Sequence, residues 1–222
     1  MAGEVYISGV YQNGEIGDKL GAKTKWRGEH WPADSFKHPR KPKWASDAVQ
    51  KAGRGEKLED DQFPEAVAVW NEKAFAKAGG FIHLSGFLTV NEKVAAILRQ
   101  FDLGEGGLVP VPLVKADLET PWPEPYYYIN YGGPKDAFLP EESENVEVLL
   151  SRKPPDKSVY DIGWSVADEE IALTNGAIKG ADIWIDRFVW HRLFLSGQLV
   201  DALRVGKFAV ELRLKKCRVV LR

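Results

Sequence analysis

The chain has 222 residues, of which 44% are hydrophobic and 28% charged, and its formal net charge is −2 at pH 7. This composition is typical of a globular protein with a sizeable core, and it excludes a largely disordered chain. The near-neutral charge argues against a protein that binds nucleic acid, because contact with the phosphate backbone requires a basic face.

The cellular compartment is indicated by three features of the sequence. The single cysteine, Cys217, excludes an internal disulfide and favours a reducing compartment. The N-terminal residues show no basic start followed by a long apolar run, so no secretion signal is visible. No apolar stretch approaches the roughly 20 residues that cross a bilayer. We therefore expect a cytoplasmic protein that does not enter a membrane.

The first third of the chain predicts one strand, a long loop and a helix. Residues 4–11 alternate between apolar and polar and predict the strand. Regular patterning then stops from 12 to 62, which is interpreted as an irregular loop whose tryptophans dock in part on the body. Residues 63–78 are predicted to form a helix, because Pro64 suits a first turn and two glycines follow the last one.

The middle of the chain predicts an apolar strand, a Leu84-Ser85-Gly86 turn, a helix that ends near Phe101, and a strand across residues 108–114. Thr89 or Asn91 is the expected helix cap. The final strand of this series contains two prolines, which donate no backbone hydrogen bonds, so it is expected at the edge of a sheet or as an extended segment.

The second half is rich in short strands. The aromatic run 126–131 is a strong strand signal. Further strands are predicted at 145–150, 159–164 and 170–173, with Asn175-Gly176 as a tight turn after them.

Residues 180–221 predict two strands, the turn Leu195-Ser196-Gly197, a short helix and a strand. This order repeats the module that begins with Leu84-Ser85-Gly86. A break in the pattern at Lys215-Lys216 predicts a bulge or a turn.

The combined pattern predicts an α+β fold with a mainly antiparallel sheet of short strands, about three inserted helices, and two strand–Leu-Ser-Gly–helix–strand modules. The chain is interpreted as a single domain, 1–222. The alternative is a division at the proline-rich connector 121–125 into an N-terminal lobe, 1–120, and a strand-rich C-terminal lobe, 121–222.

Metal and cofactor chemistry finds little support in the sequence. No two of the four histidines lie three or four residues apart, and one cysteine cannot complete a zinc site, so no metal is expected. The glycines at 104–107 follow a helix and precede a strand, which is the reverse of the order that cradles phosphate. We therefore expect no cofactor.

Nucleophilic catalysis depends on two candidates. Ser196 lies at a strand-to-helix turn but lacks the Gly-x-Ser-x-Gly pattern, so helix capping is the favoured role. Cys217 and His191 have no cysteine-protease signature around them, and a buried structural thiol is favoured. Asp182 and Asp186 flank a predicted strand and are expected on its solvent face. A small hydrolase that uses Ser196 or Cys217 is kept as an alternative.

Parts of the chain resemble immunity protein family 11 of bacterial polymorphic-toxin systems, formerly a domain of unknown function. The resemblance lies in residues 126–131, 183–187 and 193–203, and in Leu84-Ser85-Gly86 followed by Val109-Pro110-Val111. It spans about residues 80–206 and consists of apolar patterns with a serine before a helix. It implies a cytoplasmic, non-catalytic antidote that binds a cognate toxin and blocks its active site or its approach to substrate.

The resemblance supplies no interface residues, so these are inferred from the surface chemistry of the chain. Tryptophan often anchors protein interfaces, and acidic rims steer a basic partner, such as the cleft of a nuclease toxin. A carbohydrate-binding module that uses exposed tryptophans is another alternative. The candidate partner-binding residues are Trp122, Glu141, Glu142, Glu144, Trp164, Asp168, Glu169 and Glu170.

Overall fold

Short strands dominate the architecture. The computed structural model describes residues 3–12, 21–31, 41–151 and 158–220, and within these ranges it contains fifteen strands and four α-helices. Most strand pairs are antiparallel, and the strands are distributed over several small sheets. The α+β fold expected from the sequence is therefore confirmed, with one helix more than predicted.

The bounds of the elements are as follows. In chain order the strands are β1 (Val5–Ser8), β2 (Ala22–Lys25), β3 (Ala66–Val69), β4 (Phe81–Leu84), β5 (Phe87–Asn91), β6 (Gly107–Pro110), β7 (Leu113–Val114), β8 (Tyr126–Asn130), β9 (Val146–Leu150), β10 (Val159–Ile162), β11 (Ala172–Thr174), β12 (Ile183–Ile185), β13 (Leu193–Ser196), β14 (Leu214–Lys216) and β15 (Arg218–Val220). The α-helices are α1 (Lys43–Ala52), α2 (Glu72–Phe75), α3 (Glu92–Leu98) and α4 (Gly197–Val205).

Two four-stranded antiparallel sheets form the centre of the molecule. One has the strand order β4-β5-β8-β6 and the other β12-β13-β1-β14. In the second sheet the first strand of the chain lies between two strands from its last third, with Val5 opposite Ser196 and Tyr6 opposite Lys216. Hydrogen-bonded pairing therefore joins segments on both sides of the connector 121–125.

The two sheets share one core and each covers a second core with its other face. The shared core, which also takes up α3 and α4, includes Leu88, Leu98, Ile185, Leu195 and Leu203. The outer face of the β4-β5-β8-β6 sheet packs against α1, β3 and α2. The outer face of the other sheet packs against the β10, β11 and β15 segments. The inner strands of the two sheets, such as β5, β8 and β13, are buried on both faces, and their sequences are nearly continuous apolar runs.

Several local predictions hold. The aromatic run forms β8, which lies inside its sheet, whereas β6, which carries Pro110, lies at the edge. The side chain of Asn91 caps α3 by accepting a hydrogen bond from Val94 N at 3.0 Å. The bulge or turn predicted at Lys215-Lys216 is absent: both lysines belong to β14 and pair in register with β1, and the chain passes to β15 in another sheet only after Lys216.

The predicted helix over 63–78 is wrong. Residues 66–69 form β3, which pairs antiparallel with β2 and parallel with β7, and its last three residues are fully buried. Only Glu72–Phe75 is helical, with the Asn71 side chain as its cap. Pro64 and Gly79 lie on either side of β3 and α2. Burial on both faces favours a strand over a helix in the first half of this segment.

The predicted loop over 12–62 is also wrong where it is described. It contributes β2 and the ten-residue helix α1. Trp26 is buried, with its ring 5.6 Å from that of Trp44 in a T-shaped contact, so docking through tryptophan is confirmed. Residues 13–20 and 32–40 lie outside the described residues.

The two modules differ in structure. After β13, Ser196 leads into α4 as predicted, although a 3-10 helix (Ala209–Leu212) replaces the first part of the expected strand. In the earlier module, Ser85 and Gly86 both have positive φ and form the tight turn of the β4–β5 hairpin. Such a turn matches the twist of an antiparallel pair, so a strand follows it and the helix comes only after β5.

The tight turn predicted at Asn175-Gly176 is the start of a 3-10 helix (Asn175–Ile178). It does not close a β-hairpin, because β11 pairs in parallel with β15. The strand expected over 108–114 is divided, with β6 and β7 in different sheets.

Asp186 is buried and not on a solvent face, contrary to expectation. One carboxylate oxygen accepts hydrogen bonds from Ala137 N at 2.8 Å and Phe138 N at 3.0 Å, and the other accepts from Phe188 N at 3.0 Å. Burial raises the pKa of Asp186 to about 6, against the opposing effect of these three donors. The side chain thereby ties the end of β12 to residues 137 and 138.

The raised pKa of Asp186 predicts a pH dependence of stability. The ordinary value is 3.8, so the folded protein binds more protons at this site between about pH 4 and 6, and stability is lost as pH rises through that window. We expect the free energy of unfolding of the wild type, relative to Asp186→Asn, to fall by roughly 2–3 kcal/mol between pH 4 and pH 7.

Urea denaturation at a series of pH values measures this difference. Asp182→Asn, which removes a half-exposed carboxylate at the other end of β12, serves as the matched control. A difference between wild type and Asp186→Asn that stays constant with pH would contradict the prediction.

Candidate functional site

The structure brings two of the predicted acidic segments together. Glu144 N donates a hydrogen bond to Glu170 O at 2.9 Å, and Asn145 Nδ2 donates to Glu170 Oε2, also at 2.9 Å. Residues 141–144, which begin in a 3-10 helix (Pro140–Glu142), therefore lie beside residues 168–170, which precede β11. Six of the eight predicted partner-binding residues belong to this surface.

Three of these carboxylates also hold loops in place. Glu170 accepts a second hydrogen bond from Ala167 N at 2.9 Å, and these bonds lower its pKa. Asp168 accepts from Lys216 N at 2.8 Å, and Glu142 lies 3.7 Å from Arg218. The surface is thus of mixed charge.

An exposed apolar ribbon adjoins the acidic segments. It consists of β9 and β10 together with Trp164, and we call it the apolar ribbon. Val148, Leu149 and Leu150 are about half exposed, and Trp164 is 82% exposed. Gly163 N donates to Asn145 O at 2.8 Å, so the backbone before Trp164 is fixed next to the start of β9.

The base of the apolar ribbon is attached to the body by Arg192. Its guanidinium is buried and donates from Nη2 to Ile162 O and, at 2.9 Å, to Gly163 O. The edge of β10 that does not pair with β9 is attached to the body as well, because Tyr160 N donates to Phe188 O and Trp190 N donates to Tyr160 O. In the described part of the chain no strand pairs with the other edge of β9. One edge of the ribbon is therefore fixed, and the other has no neighbouring strand there.

Trp122 does not lie with Trp164. Its indole is half-buried in the core that contains α1 and β3, with its ring 5.0 Å from that of Phe75. Trp164, by contrast, follows the ribbon strand β10, which packs on the outer face of the β12-β13-β1-β14 sheet. The two tryptophans expected to act together thus occupy different parts of the structure.

The two candidate nucleophiles occupy structural positions. Ser196 Oγ accepts a hydrogen bond from Leu199 N at 3.3 Å and caps α4. Cys217 is buried between β14 and β15, and burial raises the pKa of its thiol. A thiol with a raised pKa is less often the reactive thiolate.

A cavity of about 210 Å³ is a site that the sequence did not reveal. Its polar lining consists of Tyr11, His83, Tyr131 and His191. The hydroxyl groups of Tyr11 and Tyr131 are 2.8 Å apart, and the Tyr11 ring lies 5.2 Å from that of His83 and 5.5 Å from that of His191. Each of the four comes from a different part of the chain, so no local motif could have indicated the site.

Burial shifts the pKa values of the side chains that line this cavity. It raises the pKa of Tyr11 and Tyr131, and it lowers the pKa of His191 against an opposing effect of the Asp161 charge. The His191 ring is stacked on Trp190, with centroids 4.4 Å apart. A Cβ atom at Gly53 would lie 2.4 Å from His191 Nε2, so glycine is required for this close approach.

Neither a metal-ion cluster nor a membrane-spanning helix occurs among the described residues. No group of three or more histidine, cysteine, aspartate or glutamate side chains there is arranged to hold a metal ion. Among the helices of the described ranges, none has the length and apolar character needed to span a bilayer.

Comparison with known proteins identifies no relative. No family model, curated protein or solved structure matches the chain.

The capping role of Ser196 gives a direct test. We expect Ser196→Ala to lower the free energy of unfolding by about 1 kcal/mol, because Leu199 N loses its acceptor, whereas Ser196→Thr keeps the hydroxyl and most of the stability. Urea denaturation of both variants measures this. An unchanged or increased stability of Ser196→Ala would contradict a capping role.

Proposed function

We propose that this protein is a non-catalytic immunity protein of the cytoplasm, which binds and neutralises a cognate bacterial toxin. The observation that carries the proposal is the apolar ribbon beside the acidic segments. A toxin whose functional cleft is basic, as in a nuclease, is the partner that this surface suits best.

The apolar ribbon has the character of a protein-binding surface. Contiguous exposed apolar side chains are uncommon on monomeric proteins and often mark interaction sites. Here Val148 and Leu150 share one face of β9 and Leu149 lies on the other, and the most exposed tryptophan lies at the other end of the same hairpin. Tryptophan is among the residues that contribute most to interface affinity.

The rigidity of the ribbon base also favours binding. Ordering a flexible segment during association reduces affinity, so a surface that is already fixed binds more tightly. The buried Arg192 and the bonds between Tyr160 and the 188–190 segment hold β10 before any partner arrives.

The acidic residues next to the ribbon add orientation. Glu141, Glu144 and Glu147 are exposed, and like-signed charges at the rim of an interface accelerate association with a basic partner. Lys216 and Arg218 offset part of this charge through their contacts with Glu4 and Glu142. We therefore assign most of the affinity to the apolar ribbon and the steering to the exposed carboxylates.

The resemblance of residues 126–131, 183–187 and 193–203 to immunity protein family 11 agrees with this proposal. These stretches contain β8, β12 and β13 of the two central sheets, and most of α4. They would thus be the scaffold of an antidote, with the binding surface on the segments between them.

The alternatives have weaker support. A hydrolase would need Ser196 or Cys217 as its nucleophile, yet one hydroxyl caps a helix and the other group is a buried thiol. A carbohydrate-binding module would need several open indole faces, and of the three most exposed tryptophans, Trp44, Trp70 and Trp164, two have neighbours on their rings. Lys23 Nζ lies 3.8 Å from the centre of the Trp70 ring, and Trp44 packs against Trp26.

The experiment is a binding measurement with the proteins encoded immediately beside this chain's gene. We expect one of them to bind one-to-one with nanomolar affinity in calorimetry. Trp164→Ala should weaken that binding by about 30-fold or more, as expected for an interface hot spot. Trp70→Ala, which removes another half-exposed tryptophan from a different surface, should leave the affinity unchanged.

Two outcomes would overturn different parts of the proposal. An absence of binding to either neighbouring gene product would contradict the antidote function. Tight binding that is lost in Trp70→Ala but kept in Trp164→Ala would keep the function and exclude the apolar ribbon as its surface.

A further inference from the structure

The proposed toxin-binding surface makes no use of the cavity at Tyr11, His83, Tyr131 and His191. We propose that this cavity is a binding site for a small molecule with a single aromatic ring that carries a hydroxyl or carboxylate oxygen. The size of the cavity, its walls and its polar groups all fit such a ligand, independently of the proposed function.

The size of the cavity suits one substituted ring. Its volume is about 210 Å³, whereas an apolar cavity of roughly 150 Å³ is enough to bind benzene. The additional space is sufficient for one or two small substituents. A larger fused or multi-ring ligand would not fit without movement of the walls.

The walls are held by regular secondary structure. α1 provides Val49 and Ala52, and β5 provides Phe87 and Leu88. Buried aliphatic and aromatic side chains of this kind favour a flat apolar ligand body. Asn130, next to the lining residue Ile129, exchanges two hydrogen bonds of 2.9 Å with the backbone of Leu58 and so ties the segment after α1 to β8.

The tyrosine pair leaves one donor for a ligand. Two hydroxyl groups contain two protons, and the 2.8 Å bond between Tyr11 and Tyr131 uses one of them. The second proton is available to an oxygen acceptor in the cavity. Because both hydroxyls are phenolic and stay protonated at neutral pH, this donor is constant.

The imidazole of His191 extends the same chemistry. With its pKa lowered by burial, the ring is neutral near pH 7 and offers one donor and one acceptor. It is fixed between Tyr11 and Trp190 by ring contacts. A hydroxyl substituent, which both donates and accepts, could satisfy the tyrosine pair and this ring together.

Charge favours a neutral or anionic ligand over a cationic one. No carboxylate is among the lining residues that the structure describes. The Lys41 ammonium lies at the rim, 3.3 Å from the position a Cβ would take at Gly86, and it donates to Ser85 O at 3.4 Å. A ligand ammonium would therefore find a like charge at the rim and no carboxylate in the lining, since Asp161 acts on His191 from outside it.

The test is an NMR titration of the full chain with four single-ring probes: phenol, benzoate, toluene and benzylamine. We expect phenol and benzoate to shift the imidazole signals of His83 and His191 saturably. Toluene should bind at least 10-fold more weakly than phenol, and benzylamine should cause no saturable shift up to 10 mM, on the order of the concentration that detects millimolar affinity.

A double variant, Tyr11→Phe with Tyr131→Phe, removes both hydroxyl groups and keeps the rings. It should weaken phenol binding by about 5- to 10-fold, the loss expected for one hydrogen bond, whereas either single change leaves one hydroxyl whose proton is free for the ligand. Toluene binding should be unchanged in the double variant. Trp164→Ala, on the apolar ribbon, should bind phenol as the wild type does, which separates this site from the toxin-binding surface.

The probe series on the wild type decides the proposal even if a variant fails to fold. Absence of a saturable shift with both phenol and benzoate would overturn it and identify the cavity as a hydrated space. Equal binding of benzylamine and phenol would also overturn it, because the polar groups would then confer no selectivity.

Discussion

The position of β1 between β13 and β14 is the constraint on which the arrangement of both sites depends. All four residues of β1 are buried, and Val5, Tyr6 and Ile7 contribute alternately to the shared core and to the core on the other face. Its register places Ser8 opposite Leu193. Tyr11 follows Ser8 by three residues and His191 precedes Leu193 by two, so this pairing brings their rings together. The cavity is thus a consequence of where the chain's first strand inserts.

The segment that contains His191 also supports the apolar ribbon. His191 has a positive φ of 46°, an unusual conformation for a residue other than glycine. Its side chain faces the cavity, while the next residue, Arg192, directs its buried guanidinium to the carbonyl groups of Ile162 and Gly163. Such strain persists only where the surroundings fix it. Here ring stacking on one side and hydrogen bonds on the other supply that fixation.

Sequence patterns predicted the elements whose signals are local. The aromatic run of β8, the serine cap of α4 and the edge position of the proline-containing β6 follow from propensity, capping and missing donors. The predictions failed where contacts with distant segments of the chain determine the local structure. Residues 66–69 became a buried strand because β2 and β7 flank them. Asp186 is buried because three backbone donors satisfy it, and no nearby residue indicates that.

The two candidate sites differ in the same way. The sequence indicated the acidic segments and Trp164, because residues that lie in the same surface loop are also close together in the sequence. Of the two tryptophans chosen as anchors, only Trp164 is exposed, since aromatic content alone does not distinguish surface from core. The cavity takes single residues from the ends of separate elements, each of which resembles an ordinary strand-end polar residue. A binding site built from isolated positions around a rigid core becomes visible only when the strand register is known.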